Sequence, residues 1–192
     1  NRAITLIVAA AIAFSNVYVK SNEVYVPFSG IGDPGFEQGF TIWGGYNDAE
    51  KRDANENDLS TEIVHSGNYS VKVPNGNVWQ NIDVNKEGYP YKGDKIGMRA
   101  WIYIDETVWL PAGNHFIRIL SIKDGTATEI AKSAPIPANT PRNTWVQLET
   151  VLGIVPQDSS FLQLVISNWV ANTNFYVDDI ELFKVVNVGS AP

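Results

Sequence analysis

Residues able to do chemistry are few and scattered along this chain. There are two histidines, His65 and His115, in separate strand-like contexts. No G-x-S-x-G elbow, H-E-x-x-H helix or Ser–His–Asp pattern accompanies them. A glycosidase needs only two carboxylates a few ångströms apart, and the residue list alone leaves that open. Gly30-Ile31-Gly32-Asp33-Pro34-Gly35 matches G-x-G-x-x-G in letters. A dinucleotide fingerprint must open a helix, and Pro34 with Phe36-Glu37-Gln38-Gly39 offers none, so this is Gly-rich turn chemistry. In the acidic loop 48–58, Asp53-x-Asn55-x-Asn57 imitates the start of an EF-hand. The obligatory Gly is replaced by Asp58 and the closing Glu by Val64. The loop is read as solvated, or as a weaker calcium site shared with a neighbouring chain. Asn68-Tyr69-Ser70 is a glycosylation sequon or a turn leading into a strand.

The elements that must position these residues are β-strands. Short apolar runs recur at 70–73, 79–82, 98–104, 115–122, 145–151, 161–166 and 174–185. The connectors are rich in Gly, Asn, Asp and Pro, as in Pro74-Asn75-Gly76-Asn77 and Lys123-Asp124-Gly125. Strands at this spacing predict an all-β sandwich or barrel, with no helix after residue 27. The 44% of apolar residues supply a core. A net charge of −7 excludes nucleic acid as a partner, since phosphates need Lys and Arg. The same charge is compatible with calcium and with neutral sugars. There is no cysteine, which excludes a disulfide scaffold and a thiolate metal site.

Residues 3–14 read AITLIVAAAIAF, and three identities compete for them. Arg2 and Ala11-Ile12-Ala13 fit a signal peptide. The run also fits a short helix, although it falls below the ~20 residues needed to span a bilayer. As a strand, it puts Ile4, Leu6, Val8, Ile12 and Phe14 on one bulky face and mainly small residues on the other. Helical spacing also groups Ile4, Val8 and Ile12, so periodicity does not decide. Residues 16–19 and 24–26 read as strands around a polar turn.

Four stretches resemble carbohydrate-binding modules of the galactose-binding-like, jelly-roll kind. Asp33-Pro34-Gly35-Phe36-Glu37-Gln38-Gly39 followed by Trp43 is similar to an N-G-G-F-E-x-G…W opening, departing from it at Asp33-Pro34. His65-Ser66-Gly67-Asn68-Tyr69-Ser70-Val71-Lys72-Val73 is similar to H-S-G-x-x-S-L-K-V. Met98-Arg99-Ala100-Trp101-Ile102-Tyr103-Ile104 resembles the S-A-W-V strand. Asn143-Thr144-Trp145-Val146-Gln147-Leu148 and Tyr176-Val177-Asp178-Asp179-Ile180-Glu181-Leu182 resemble the closing pair. The resemblance, which runs from Asp33 to Phe183, implies a jelly-roll β-sandwich; that domain is expected over 27–192, with 1–26 as an N-terminal apolar extension. It implies a structural calcium ion held by Glu37 and Asp178, for which hard oxygen ligands are suited. It also implies that Trp101 and Trp145 belong to the core. Trp79, Trp109 and Trp169 are less constrained and, with Tyr89 and Tyr91, are the candidates for stacking on a sugar.

Two functions are expected, neither of them enzymatic. One is a carbohydrate-binding module for polysaccharide or glycan. The other is a subunit of an extracellular filament or tube, a homopolymer in which Ile4, Leu6, Val8, Ile12 and Phe14 of one chain fill a groove of the next. The filament design resembles archaeal cannulae and bundling pilins. It is favoured because it gives the exposed apolar segment a partner.

Overall fold

The alternation of side chains along the long strands sets the architecture. In β13 (Phe161–Asn168), Leu162, Leu164 and Ile166 enter the main core, while Phe161 and Val165 face the other way. In β8 (Lys95–Ile104), Ile96, Met98, Ala100, Ile102 and Ile104 are buried in that same core. Two sheets facing each other satisfy both patterns. The computed structural model describes residues 19–20 and 23–188.

The remaining strands are β1 (Val19–Lys20), β2 (Glu23–Pro27), β3 (Gly44–Asn47), β4 (Arg52–Asp53), β5 (Leu59–Ser60), β6 (Ser70–Lys72), β7 (Gly76–Ile82), β9 (His115–Lys123), β10 (Thr126–Lys132), β11 (Trp145–Glu149), β12 (Gly153–Ile154) and β14 (Phe175–Asn187). The six-stranded sheet runs β10-β9-β13-β7-β3-β4. In the eight-stranded sheet β14 is central. It pairs with β8 on one side and with β2 and β6 on the other; β11 and β12 flank β8. All described pairings are antiparallel, which fits the expected sandwich. Helical structure among the described residues is confined to two 3-10 turns, Gly39–Thr41 and Glu56–Asp58.

Three expectations need amendment. Residues 23–26, assigned to the extension, form β2 together with Pro27 and pair with β14 inside the eight-stranded sheet. Strand β10 has no apolar run to announce it; its partner is β9, joined through Asp124-Gly125, both at positive φ. This is the backbone a tight hairpin turn requires. Trp101 and Trp145 are not core. They are half-buried on the outer face of the eight-stranded sheet, because they alternate with Ala100, Ile102 and Val146, which pack inward. Asp58 accepts from both Arg52 terminal nitrogens at 2.7 and 2.9 Å, and Asn55 caps the following 3-10 turn.

The donor-strand residues Ile4, Leu6, Val8, Ile12 and Phe14 lie outside the described residues.

Candidate functional site

The outer face of the six-stranded sheet is not a solvated surface. Val165, Leu120 and Ile122 point outward, yet they are 3%, 8% and 9% exposed, and they pack against Trp79 and Phe161. An antiparallel sheet with one face in water ordinarily alternates apolar-in with polar-out. Here the second face carries a small apolar floor of its own. Register arranges it in rows. Gly44, Trp79, Val165, Arg118 and Lys132 are successive cross-strand partners. The next row is Asn81, Gln163, Leu120 and Glu129.

Trp79 is the aromatic wall of this cleft. Its ring lies over Gly44, where a Cβ would come within 3.0 Å of Nε1. Gly44 thus permits a close approach that any side chain would block. Beside the ring is a cavity of about 300 Å³ lined by Gly30, Gly32, Gly44, Trp79, Asn81 and Tyr89. Gln80 closes its base by exchanging two hydrogen bonds with the Gly32 backbone, at 2.9 and 2.6 Å. Polar groups follow along the cleft. Gln163 Nε2 donates to Asn81 Oδ1 at 3.0 Å, and Ser167 Oγ donates to Asn77 Oδ1 at 2.7 Å. Each amide retains further donors and acceptors. An aromatic face beside outward amides and hydroxyls matches the two surfaces of a sugar ring, one apolar and one rimmed with hydroxyls.

The other two tryptophans proposed for stacking lie elsewhere. Trp109, 87% exposed, is in the β8–β9 connection, and Trp169 directly follows β13. The Trp169 amide donates to the Asn114 carbonyl, and Asn174 Nδ2 and N bond to Asp105 and Thr107. These loops meet at one end of the sandwich. On the eight-stranded sheet, Trp145, Tyr103, Tyr176 and Lys72 form a cross-strand row. Its ring planes meet at 58° and 80°, so they make edge contacts rather than a flat platform.

The structure brings Glu37 and Asp178 to one loop. Asp33, at φ 45, accepts from the Glu37 and Gln38 amides and so fixes the turn that presents Glu37. Glu37 Oε1 accepts from the Asn68 and Tyr69 amides, and Oε2 from Asn68 Nδ2. Asp178 Oδ2 accepts from the His65 and Ser66 amides. The loop 65–69 is therefore held at both ends by carboxylates. Gly67, at φ 66, is required between them, since a Cβ there would lie 2.3 Å from Glu37 Oε1. His65 stacks on Trp101 at 4.3 Å, and its Nδ1 is 2.6 Å from Asp179 Oδ2.

The electrostatics at this loop are unbalanced. Asp178 is fully buried, and its hydrogen-bond partners are neutral amides. Burial first, and Asp179 beside it, push its carboxyl up to about 6 against backbone bonds that oppose the shift. Glu37 is held below the usual carboxylate value, chiefly by the Asn68 amide. A buried anion next to a second anion favours a cation, and its oxygens are the hard donors calcium takes. Each carboxylate retains acceptor capacity beyond its three bonds. Among the described residues no group of three or more His, Cys, Asp or Glu is arranged around a metal position. Backbone carbonyls would have to complete the shell. The other histidine, His115, is buried at the start of β9, and burial pushes it down to about 4.

No family model matches the chain, and no curated protein matches it. Solved structures do. A xylan-binding domain of carbohydrate-binding-module family 22 aligns with a TM-score of 0.53 at 16% identity, covering 86% of this chain and 98% of that one. A Stig cyclase from Fischerella sp. TAU aligns at 0.53 with 14% identity, covering 83% and 98%. A family 16 carbohydrate-binding module aligns at 0.50 with 15% identity, covering 80% and 99%. The chain has the all-β jelly-roll sandwich fold that these structures share. Since a cyclase shares that fold, the fold by itself does not choose between binding and catalysis.

Of the residues singled out from sequence, Trp79 lies in this cleft, and Glu37 and Asp178 converge on the loop 65–69. Asn81, Gln163, Val165 and Arg118, which share the cleft face, were not singled out from sequence. Reading β7, β9 and β13 at period two would have grouped each of them on the face opposite the core.

Proposed function

We propose that this chain is a non-catalytic carbohydrate-binding module that holds a polysaccharide along the outer face of its six-stranded sheet. The observation that carries this reading is Trp79 set over Gly44, beside the Asn81–Gln163 amide pair and an apolar floor. The likeness to a xylan-binding domain and to a second carbohydrate-binding module supports it. The comparisons thus favour the module over the filament that the apolar N-terminal residues had suggested. A ligand of this class places the protein outside the cell or on its surface. Among the described residues no helix is long and apolar enough to cross a membrane.

The test is binding to an array of plant and microbial polysaccharides. Retention on one or more, with no release of reducing ends, is the expected result. Absence of binding, together with filaments in electron micrographs, would overturn the reading in favour of a polymerising subunit.

Calcium belongs to the same proposal as a structural ion. Glu37 and Asp178 would be its side-chain ligands, tying the turn before β3 to the bulge of β14. The ion would neutralise the charge buried at Asp178. Adding EDTA should then lower the melting temperature, and adding calcium back should restore it. An unchanged melting temperature would remove the ion from the proposal.

A further inference from the structure

The cations of the cleft lack the close carboxylate partner that Arg52, Arg99 and Lys123 have. Arg118 and Lys132 are direct cross-strand partners on β9 and β10. Like charges facing each other on one side of a strand pair are destabilising. Both lie against the Phe116 ring, Lys132 Nζ at 3.8 Å and the Arg118 guanidinium at 5.3 Å from its centroid. The carboxylate that pairs with Arg118 is the exposed Glu129, 3.5 Å from Nη1. That is beyond a charge-assisted hydrogen bond. Elsewhere Arg99 meets Glu181 at 2.8 Å and Lys123 meets Asp158 at 2.7 Å. In addition, Arg118 Nε is buried without a hydrogen-bond partner. A buried donor left unpaired is costly. Two facing cations, one of them with an unsatisfied Nε–H, therefore stand in the row that contains Trp79, Arg118 two strands from it and Lys132 three. Those are distances of about 10 and about 14 Å.

We infer that the cleft selects an acidic polysaccharide, with Arg118 and Lys132 holding an anionic substituent of the chain whose rings stack on Trp79. The inference rests on the carbohydrate-binding reading above. The guanidinium fork matches a planar carboxylate, and the ammonium adds a point charge. One anion between them turns their repulsion into two attractions. Uronate carboxylates and sulfate esters share this chemistry. The overall charge of −7 does not oppose it, because distant charges are screened within ~10 Å at moderate salt. The acidic balance of the whole chain is thus reversed locally on this face.

Calorimetric titration tests the inference with paired probes. Glucuronoxylan and polygalacturonate are each compared with the same polymer after reduction of its carboxyls to alcohols. Dextran sulfate is compared with dextran. A charged hydrogen bond is expected to make the acidic member of at least one pair bind about tenfold more tightly. The pair that shows this tells carboxylate from sulfate. In the double variant Arg118→Gln, Lys132→Gln, with its fold checked by circular dichroism, that ratio should fall close to one. Equal affinity of the unaltered protein within every pair would overturn the inference and leave the carbohydrate-binding reading standing. A ratio that survives in the folded double variant would overturn the assignment to these two residues. Failure to bind any probe or any array glycan would overturn the carbohydrate-binding reading, and the inference with it.

Discussion

Replacing Asp178 with alanine is expected to lower the melting temperature by about 6–12 °C, since a domain of this size shifts by a few degrees per kcal/mol. Asp178 is fully buried and accepts from three backbone amides, two of which anchor the loop 65–69. Alanine leaves those donors without their acceptor, at a cost of about 3 kcal/mol. The effect should depend on pH with a definite sign. In the folded chain the carboxyl titrates at about 6, above its ordinary value of 3.8. Between those values the folded state keeps a proton that the unfolded state has released. The stabilisation is fully present below the unfolded value and is lost as pH rises through about 6. Asp178→Asn cannot titrate. In EDTA, the difference in stability between the unaltered protein and Asp178→Asn should therefore widen as pH falls from about 7 to about 4. A difference that stays flat over that range would contradict the raised value. With calcium bound the charged form is held, and the widening should disappear.

The behaviour of Asp178 shows where the sequence was informative. Strands with an apolar inner face, such as 98–104 and 161–166, announce themselves because burial imposes period two on local residues. The convergence of Glu37 and Asp178 was accessible only through resemblance, since nothing local tells a turn that it will meet the last strand. Strand β10 was invisible for a related reason. Its residues Thr126–Lys132 are largely exposed, and its extended form comes from hydrogen bonds to β9. Trp101 and Trp145 were misplaced because family resemblance outweighed the alternation visible in Ala100-Trp101-Ile102-Tyr103. The cleft is the least local feature of all. Trp79 acquires its neighbours Val165 and Gly44 from strands distant in sequence, and only their register puts amides and cations beside it. For the same reason, composition shows only an acidic chain, while one row of the sheet carries two cations side by side.

Trp79→Ala should weaken polysaccharide binding by about thirtyfold or more, the effect of losing a central aromatic worth at least ~2 kcal/mol. The ring is the large outward aromatic of the cleft's central row, and it is already immobilised over Gly44, so little ordering entropy opposes stacking. Alanine also removes contacts with Val165 and Leu120. Part of any loss would then come from a disturbed floor, and Trp79→Tyr separates the two causes. It keeps a ring and most of the packing, so its affinity should fall between those of the unaltered protein and Trp79→Ala. Trp109→Ala and Trp169→Ala serve as rivals rather than controls. Trp109 is far more exposed than Trp79, and exposure alone would make it the better candidate. The physical argument runs the other way. A ring held by its surroundings, with hydrogen-bonding amides next to it, discriminates a sugar from water better than a ring projecting alone. Full affinity in Trp79→Ala, with loss in Trp109→Ala or Trp169→Ala, would move the binding site from the sheet face to the loops at the end of the sandwich.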